Sequence, residues 1–282
     1  MTTTDVTTTG RAEVPPVVSA SGAGLVTATL QSAKRTVIQF FRTPQLLVVG
    51  TVQGALFLFM FRYIFGGAIQ LGAGLDYVDF LVPGFLVTSI LWLGMAASGG
   101  VAEDAATGLH DRLRSLPIPR ASVLLGRSVA DAALTLWGMF VAGVLAFVVG
   151  FRLHTDSLDT MLTVVLLVVA VYSFTWIFIA IGLLSGSVQA ADAMATLFVI
   201  PFAFVSAAYV PAGSLPGWMQ PVANNQPFTI LSNALRSLTL GGADAAGVGH
   251  TTTYWVVLSL LWCVGIALGF GTIAVSRFIR RR

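Results

Sequence analysis

Six apolar stretches, each long enough to cross a bilayer, limit what this chain can fold into. A transmembrane helix needs about 20 mostly apolar residues. The sequence supplies them at roughly Leu46–Phe65, Val78–Val101, Val129–Phe151, Leu158–Leu184, Ala193–Val210 and Tyr254–Ser276. Pro83 falls near the start of the second and Pro201 inside the fifth. Of the 282 residues 56% are hydrophobic and only 10% charged, and mean hydropathy is +0.87. Soluble domains carry about 25% charged residues. The expected class is an all-α membrane protein with six transmembrane helices.

The few charges set the orientation. With the N-terminus in the cytoplasm, the inner segments hold Arg11, Lys34, Arg35, Arg42, Arg112, Arg114, Arg120, Arg127, Arg277, Arg280, Arg281 and Arg282. The outer segments hold only Arg62, Arg152 and Arg236. That bias places both termini in the cytoplasm and the chain in the cytoplasmic (inner) membrane. The closing arginines anchor at the inner headgroups. Residues 1–23 are Thr-rich and lack the apolar core of a signal peptide, so a disordered cytoplasmic tail is expected there.

Two inner segments have more structure than a link requires. Over Gly24–Arg42, Val26, Leu30, Ala33, Val37 and Phe40 or Phe41 recur at helical spacing, with Lys34, Arg35 and Arg42 largely off the stripe. This predicts an amphipathic helix, lying in the inner interface or packing on a partner. Pro44 then turns the chain into the membrane. The stretch Leu109–Asp131 carries Arg112, Arg114, Arg120 and Arg127 together with Pro117 and Pro119. Prolines stiffen it into a lever, and its arginines suit either acidic groups on a cytoplasmic partner or anionic lipid. Asp131 stands four residues after Arg127, the spacing of a helical ion pair.

On the outer side, Pro211–Thr253 is long and punctuated by Pro211, Pro216, Pro221 and Pro227. Phe228–Leu240 reads as a helix, with Pro227 at its start and Gly241-Gly242 beyond its end. Trp218 suits the outer interface. The expectation is a re-entrant extracellular helical hairpin between spans five and six, a lid over a pathway; the alternative is an ordinary surface loop. Within the spans, Gln53 either faces a pathway or bonds a neighbouring helix. Phe57, Phe61, Phe198, Phe202 and Phe204 either wall a pathway or face lipid. Gly50–Gly54, Gly182–Gly186 and Gly265–Gly269 each offer a small face for close helix packing.

The chemistry of catalysis is not expected in this chain. His110, His154 and His250 lie in connections, and no Cys, His and carboxylate set has metal-site spacing. The single cysteine, Cys263, excludes an internal disulfide. No basic patch suits nucleic acid. The only lysine, Lys34, follows Ala33, whereas a Walker A loop needs Gly-Lys. ATP-driven work would need another subunit. A scaffold without transport and an ion-driven carrier are the competing readings; a carrier would place a carboxylate deeper in a span.

Two stretches carry a family resemblance. One is Asp111-Arg112-Leu113-Arg114-Ser115-Leu116-Pro117-Ile118-Pro119-Arg120, followed by Gly126-Arg127 and Ala130-Asp131. The other is Leu215-Pro216-Gly217-Trp218-Met219-Gln220-Pro221, followed by Asn225-Gln226-Pro227 and Ala234-Leu235-Arg236. With these the chain resembles the membrane subunits of type-2 ABC exporters, and within them the daunorubicin/doxorubicin-resistance permeases of actinobacteria. The resemblance implies that residues 24–282 form an ABC transporter transmembrane domain. It implies a coupling helix over Glu103–Arg120, with Glu103, Asp111, Arg112, Arg114, Leu116, Pro117, Pro119 and Arg120 docking on a separate ATPase. The Gly24–Arg42 helix, with Lys34, Arg35 and Arg42, would touch that subunit too. The hairpin, with Pro216, Trp218, Asn225, Gln226, Pro227 and Arg236, would be the extracellular gate. Two permeases, as a homo- or heterodimer, would work with two P-loop ATPases that carry ATP and Mg. The load would be a hydrophobic drug, secondary metabolite or lipid moving outward.

Overall fold

A computed structural model describes residues 29–30, 33–34, 37–38, 44–66, 76–107 and 120–280. The regular elements among them are all helical. α1 (Pro44–Met60) runs directly into a π turn at Phe61–Phe65. There follow α2 (Tyr77–Ala106), α3 (Arg120–Val149), α4 (Ser157–Leu184) and α5 (Val188–Phe204). A 3-10 turn (Ala212–Ser214), α6 (Gln220–Asn225), α7 (Pro227–Thr239) and α8 (Thr252–Arg280) complete the chain. The N-terminal residues expected to form a tail lie outside the described residues.

Four helices, α2, α3, α4 and α8, are long and apolar enough to cross a membrane; α1 and α5 are shorter apolar helices. Local chemistry sets several boundaries. The Asp156 carboxylate accepts from the Asp159 amide at 3.1 Å and starts α4. Ser187 does the same for α5, its hydroxyl accepting from Ala190 at 3.2 Å. Pro227 opens α7, and Gly241 and Gly242 follow it with φ of 81° and 122°, where a side chain would be strained.

Three boundaries differ from expectation. The fifth stretch is not helical to Val210: α5 stops at Phe204, and Ser206–Tyr209 is buried yet unwound. α3 begins at Arg120 rather than near Val129, and Arg127 and Asp131 satisfy each other inside it. α2 continues past Val101 to Ala106, so Glu103 sits in its last turns rather than opening a separate helix. The Thr107 hydroxyl closes that end, donating to the Glu103 carbonyl at 3.0 Å.

α2 and α4 are largely buried, whereas α3 and α8 keep most of their apolar surface open. α2 packs on α3, α4, α5 and α7, and α4 packs most extensively on α8 and α2. The Gly94 and Gly182 backbones permit the α2–α4 approach: a Cβ at Gly94 would meet the Phe178 ring, and one at Gly182 the Ser98 carbonyl at 2.5 Å. Of the paired glycines expected to pack, Gly182 does so, whereas Gly186, Gly265 and Gly269 face open space.

The core forms three layers along the bundle. Val101, Leu124, Ile179, Leu183 and Phe278 fill one end, where α2 leads toward α3; this is called the connector end. Leu91, Phe174, Phe178, Val199, Phe228 and Leu231 fill the middle. Leu58, Phe61, Tyr77, Leu81, Phe151, Ala208 and Tyr209 fill the other end, called the hairpin end.

Candidate functional site

Each end of the bundle holds an enclosed arginine. At the connector end Arg127 on α3 donates through Nε to Asp131 Oδ2 at 2.7 Å and through Nη1 to Asp104 Oδ2 at 2.6 Å. The first bond is the expected helical pair. The second ties α3 to the last turn of α2, and nothing in the local spacing announces it. Gly100 leaves room for the guanidinium, since a Cβ there would collide with Arg127 Nη2. Asp192 on α5 is exposed, and a Cβ at Gly99 of α2 would come within 3.0 Å of its Oδ1. Three helix ends therefore meet directly beside the connector.

Asp111, Arg112, Arg114, Leu116, Pro117 and Pro119 lie outside the described residues, as do Arg35 and Arg42. Arg120 is the first residue of α3, and Glu103 is exposed. In the N-terminal segment residues 29–30, 33–34 and 37–38 are helical, Ala33 is buried, and Lys34 is exposed. The expected stripe is rotated: Leu30, assigned to it, is 60% exposed and lies with Lys34 and Ile38, while Thr29, Ala33 and Val37 face inward. A period of four residues fits both sets, and only tertiary contact decides which is covered.

At the hairpin end α7 is a core helix, buried along its length except at half-buried Asn233. It is wedged between α2, α4 and α8. Its Arg236 is 1% exposed. Nε donates to the Phe80 carbonyl of α2 at 3.0 Å. Nη2 donates to the carbonyls of Ala207 and Ala208, both at 2.9 Å, and Nη1 to Asn233 Oδ1 at 3.1 Å. The guanidinium carbon lies 3.6 Å from the centroid of the Phe80 ring, a cation–π contact. Arginine stays protonated in proteins, so a full positive charge is held by carbonyl dipoles and a ring.

The Ala207 and Ala208 carbonyls belong to the unwound segment after α5. Buried irregular backbone needs partners for its polar groups, and several are supplied here. The Ala207 amide donates to Thr229 Oγ1 at 2.9 Å, and the Ala208 amide to Ser206 Oγ at 3.3 Å. The Tyr209 carbonyl accepts from the Tyr77 hydroxyl at 3.1 Å, and the Tyr209 hydroxyl donates to Thr88 Oγ1 at 2.6 Å. Gly84 brings the two backbones together; a Cβ there would overlap the Ala208 carbonyl. Sequence reasoning places Arg236 at the gate but misses Tyr77, Thr88, Tyr209 and Thr229. The available signal is a lone arginine in a helix otherwise made of apolar and small polar residues.

The remaining hairpin residues separate from this block. Pro216, Trp218 and Asn225 are exposed, Trp218 at 78%. Pro227 is buried, and so is Gln226, whose Nε2 has no partner among the described residues. The aromatics expected along a pathway also divide. Phe198 and Phe202 turn into the core, packing on Phe178 and Phe228 respectively. Phe57 and Phe61 pack on Tyr209, with centroids 5.3 Å and 4.9 Å away. Gln53 is exposed on α1. Phe204, also among the expected aromatics, lies on the open face of α5 with Met194, Leu197 and Ile200.

The model of the ABC-2 type transporter family matches residues 27–240, from the N-terminal helix to the end of α7. The daunorubicin resistance ABC transporter permease protein DrrB1 of Streptomyces coeruleorubidus is 28% identical over 224 residues, 79% of each chain. A probable doxorubicin resistance ABC transporter permease protein, DrrC, of Mycobacterium tuberculosis is 24% identical over 192 residues, 66% of this chain and 69% of its own. The family match takes in both enclosed arginines, and the chain belongs to the ABC-2 type transporter family, as an integral membrane permease.

Proposed function

We propose that this chain is the membrane half of an ATP-driven exporter that moves a hydrophobic drug, secondary metabolite or lipid outward across the cytoplasmic membrane. The family match over residues 27–240 carries this reading. ATP and Mg belong to a separate P-loop ATPase; the only lysine here, Lys34, follows Ala33 and makes no phosphate loop. The relatives named for daunorubicin and doxorubicin resistance favour an amphiphilic drug.

In this reading α1 and α5 join the four long helices to make six spans. The connector end faces the cytoplasm, the hairpin end faces outward, and both termini are cytoplasmic. The basic bias of the connector and C-terminus supports that orientation. Force from the ATPases enters through residues 103–120. It reaches α2 and α3 together, because Arg127 binds Asp104 and Asp131 at once. A second permease protomer, identical or not, faces the open sides of α1 and α5. Gln53, Met194, Leu197, Ile200 and Phe204 then wall the path, and Trp218, Pro216 and Asn225 stand over its outer mouth.

Co-purification from the native membrane in mild detergent tests the assembly: a P-loop ATPase at near-equal stoichiometry is expected, and its absence from an otherwise preserved preparation overturns the reading. Replacing Arg112 and Arg114 together by Glu tests the docking role. Transport should be lost while insertion persists; unchanged ATPase binding and transport would remove the connector from that role.

A further inference from the structure

The hairpin end divides into a bolted part and a free part. The bolted part is the unwound tail of α5 with α7. Most of the polar contacts that hold the tail come from α2 or α7: Tyr77 and Thr88 from one, Thr229 and Arg236 from the other. The free part is Pro211–Gln226. Its side-chain hydrogen bonds stay inside it: Ser214 to the Pro211 carbonyl at 2.7 Å, Gln220 to that of Leu215 at 2.9 Å, and Asn225 to that of Pro221 at 2.8 Å. Pro216, Trp218, Pro221, Val222, Asn224 and Asn225 are exposed, while Ala223 and Gln226 near its end are buried. This flap hangs between two anchored points, Tyr209 and Pro227.

We infer that Arg236 is a positioning residue for gating: its guanidinium clamps the end of α5 to α2 and α7, the clamp holds the outer seal, and opening moves only the Pro211–Gln226 flap. The inference rests on reading the hairpin as the outer gate. Its physical basis is the cost of the alternative. Swinging the tail of α5 would strip the Ala207 and Ala208 carbonyls of their donors where no water replaces them. Moving the flap breaks none of those bonds. Arginine suits the task because its planar fork reaches carbonyls in two separate segments and Asn233 of its own helix at once. Lysine keeps the charge but is a compact point donor that cannot span the same set.

The test uses the assembled permease–ATPase complex in proteoliposomes loaded with carboxyfluorescein, so it needs no knowledge of the substrate. Leak is measured with the ATPases free and with them trapped by a non-hydrolysable ATP analogue. Arg236→Lys should raise nucleotide-free leak about tenfold or more, since hydrogen bonds to a charged group are lost. That leak should change when the ATPases are trapped; a simple packing defect would leak equally in both states. Thr229→Val and Tyr209→Phe, each losing one bond to the tail, should leak less but respond in the same way. In parallel, the flap residues 213–224 are replaced by a Gly-Ser linker, which should leak if the hairpin is the seal.

A leaking flap variant beside a tight Arg236→Lys complex overturns the clamp and leaves the gate reading intact. A tight flap variant overturns the gate reading itself. A leak in Arg236→Lys that ignores the trap also overturns the clamp. If Arg236→Lys does not assemble, Thr229→Val and Tyr209→Phe decide, and wild-type leak in both overturns it.

Discussion

Arg127 and Arg236 are both enclosed, but they are held by opposite means. Arg127 faces two carboxylates, Asp104 and Asp131, on the two helices that flank the connector. Arg236 meets carbonyls, an amide oxygen and a ring. The first arrangement neutralises charge and joins two helices that are otherwise complete. The second keeps its charge and completes backbone that is otherwise unsatisfied. A carboxylate left alone can take up a proton and become neutral; a carbonyl has no such escape. The hairpin end should therefore tolerate loss of its arginine less well than the connector end.

The sharpest way to break that contrast is to truncate both arginines. Arg236→Met should cost at least about 3 kcal/mol, because it strands several buried carbonyls at about 1–3 kcal/mol each. It should show as a loss of folded, detergent-extracted protein or a large fall in Tm. Arg127→Met should cost less, about 1–3 kcal/mol, because Asp104 keeps 21% of its side chain exposed and Asp131, 5% exposed, can take up a proton once its partner is gone. Equal losses in thermal unfolding would mean that the two sites are not different in kind.

Backbone approach offers a second, smaller discriminator. Gly84→Ala puts a methyl group into the Ala208 carbonyl, which belongs to rigid backbone. A loss of about 1–3 kcal/mol is expected, as for other overpacked sites. Gly265→Ala on α8 meets nothing within 4 Å. It should be neutral or gain up to about 1 kcal/mol from helix propensity. A harmless Gly84→Ala would show that the α5 tail can retreat and is not bolted. The smallest loss belongs to Tyr209→Phe. It removes one buried hydroxyl bond, worth about 1 kcal/mol, and leaves the Thr88 hydroxyl on its own helix carbonyls.

The two arginines also differ in how far local spacing announces them. The Arg127–Asp131 pair is legible in the sequence because four residues on a helix bring side chains together whatever surrounds them. Asp104 is not, because its link to Arg127 crosses the connector. α7 is nearly exact, Phe228–Leu240 expected against Pro227–Thr239 observed, because Pro227 and Gly241-Gly242 punctuate the chain locally. The end of α5 is not legible. Val205, Ala207, Ala208 and Val210 continue the apolar run, and apolarity alone cannot distinguish helix from buried unwound backbone. Phe198 and Phe202 are candidates for a pathway on composition, yet they fill the chain's own core; Leu197 and Ile200 on the opposite face of the same helix stay open.

Taken alone, the sequence determined that this is a helical membrane protein, where its longest helices run, and which connections are basic. Those properties follow from hydropathy and charge, which act through solvent and need no partner residue. Only the tertiary structure decided where α5 unwinds, which face of each helix is covered, and what Arg236 does. Those outcomes depend on donors and acceptors far apart in the chain, such as Phe80, Ala207 and Arg236, that meet only once the helices have packed.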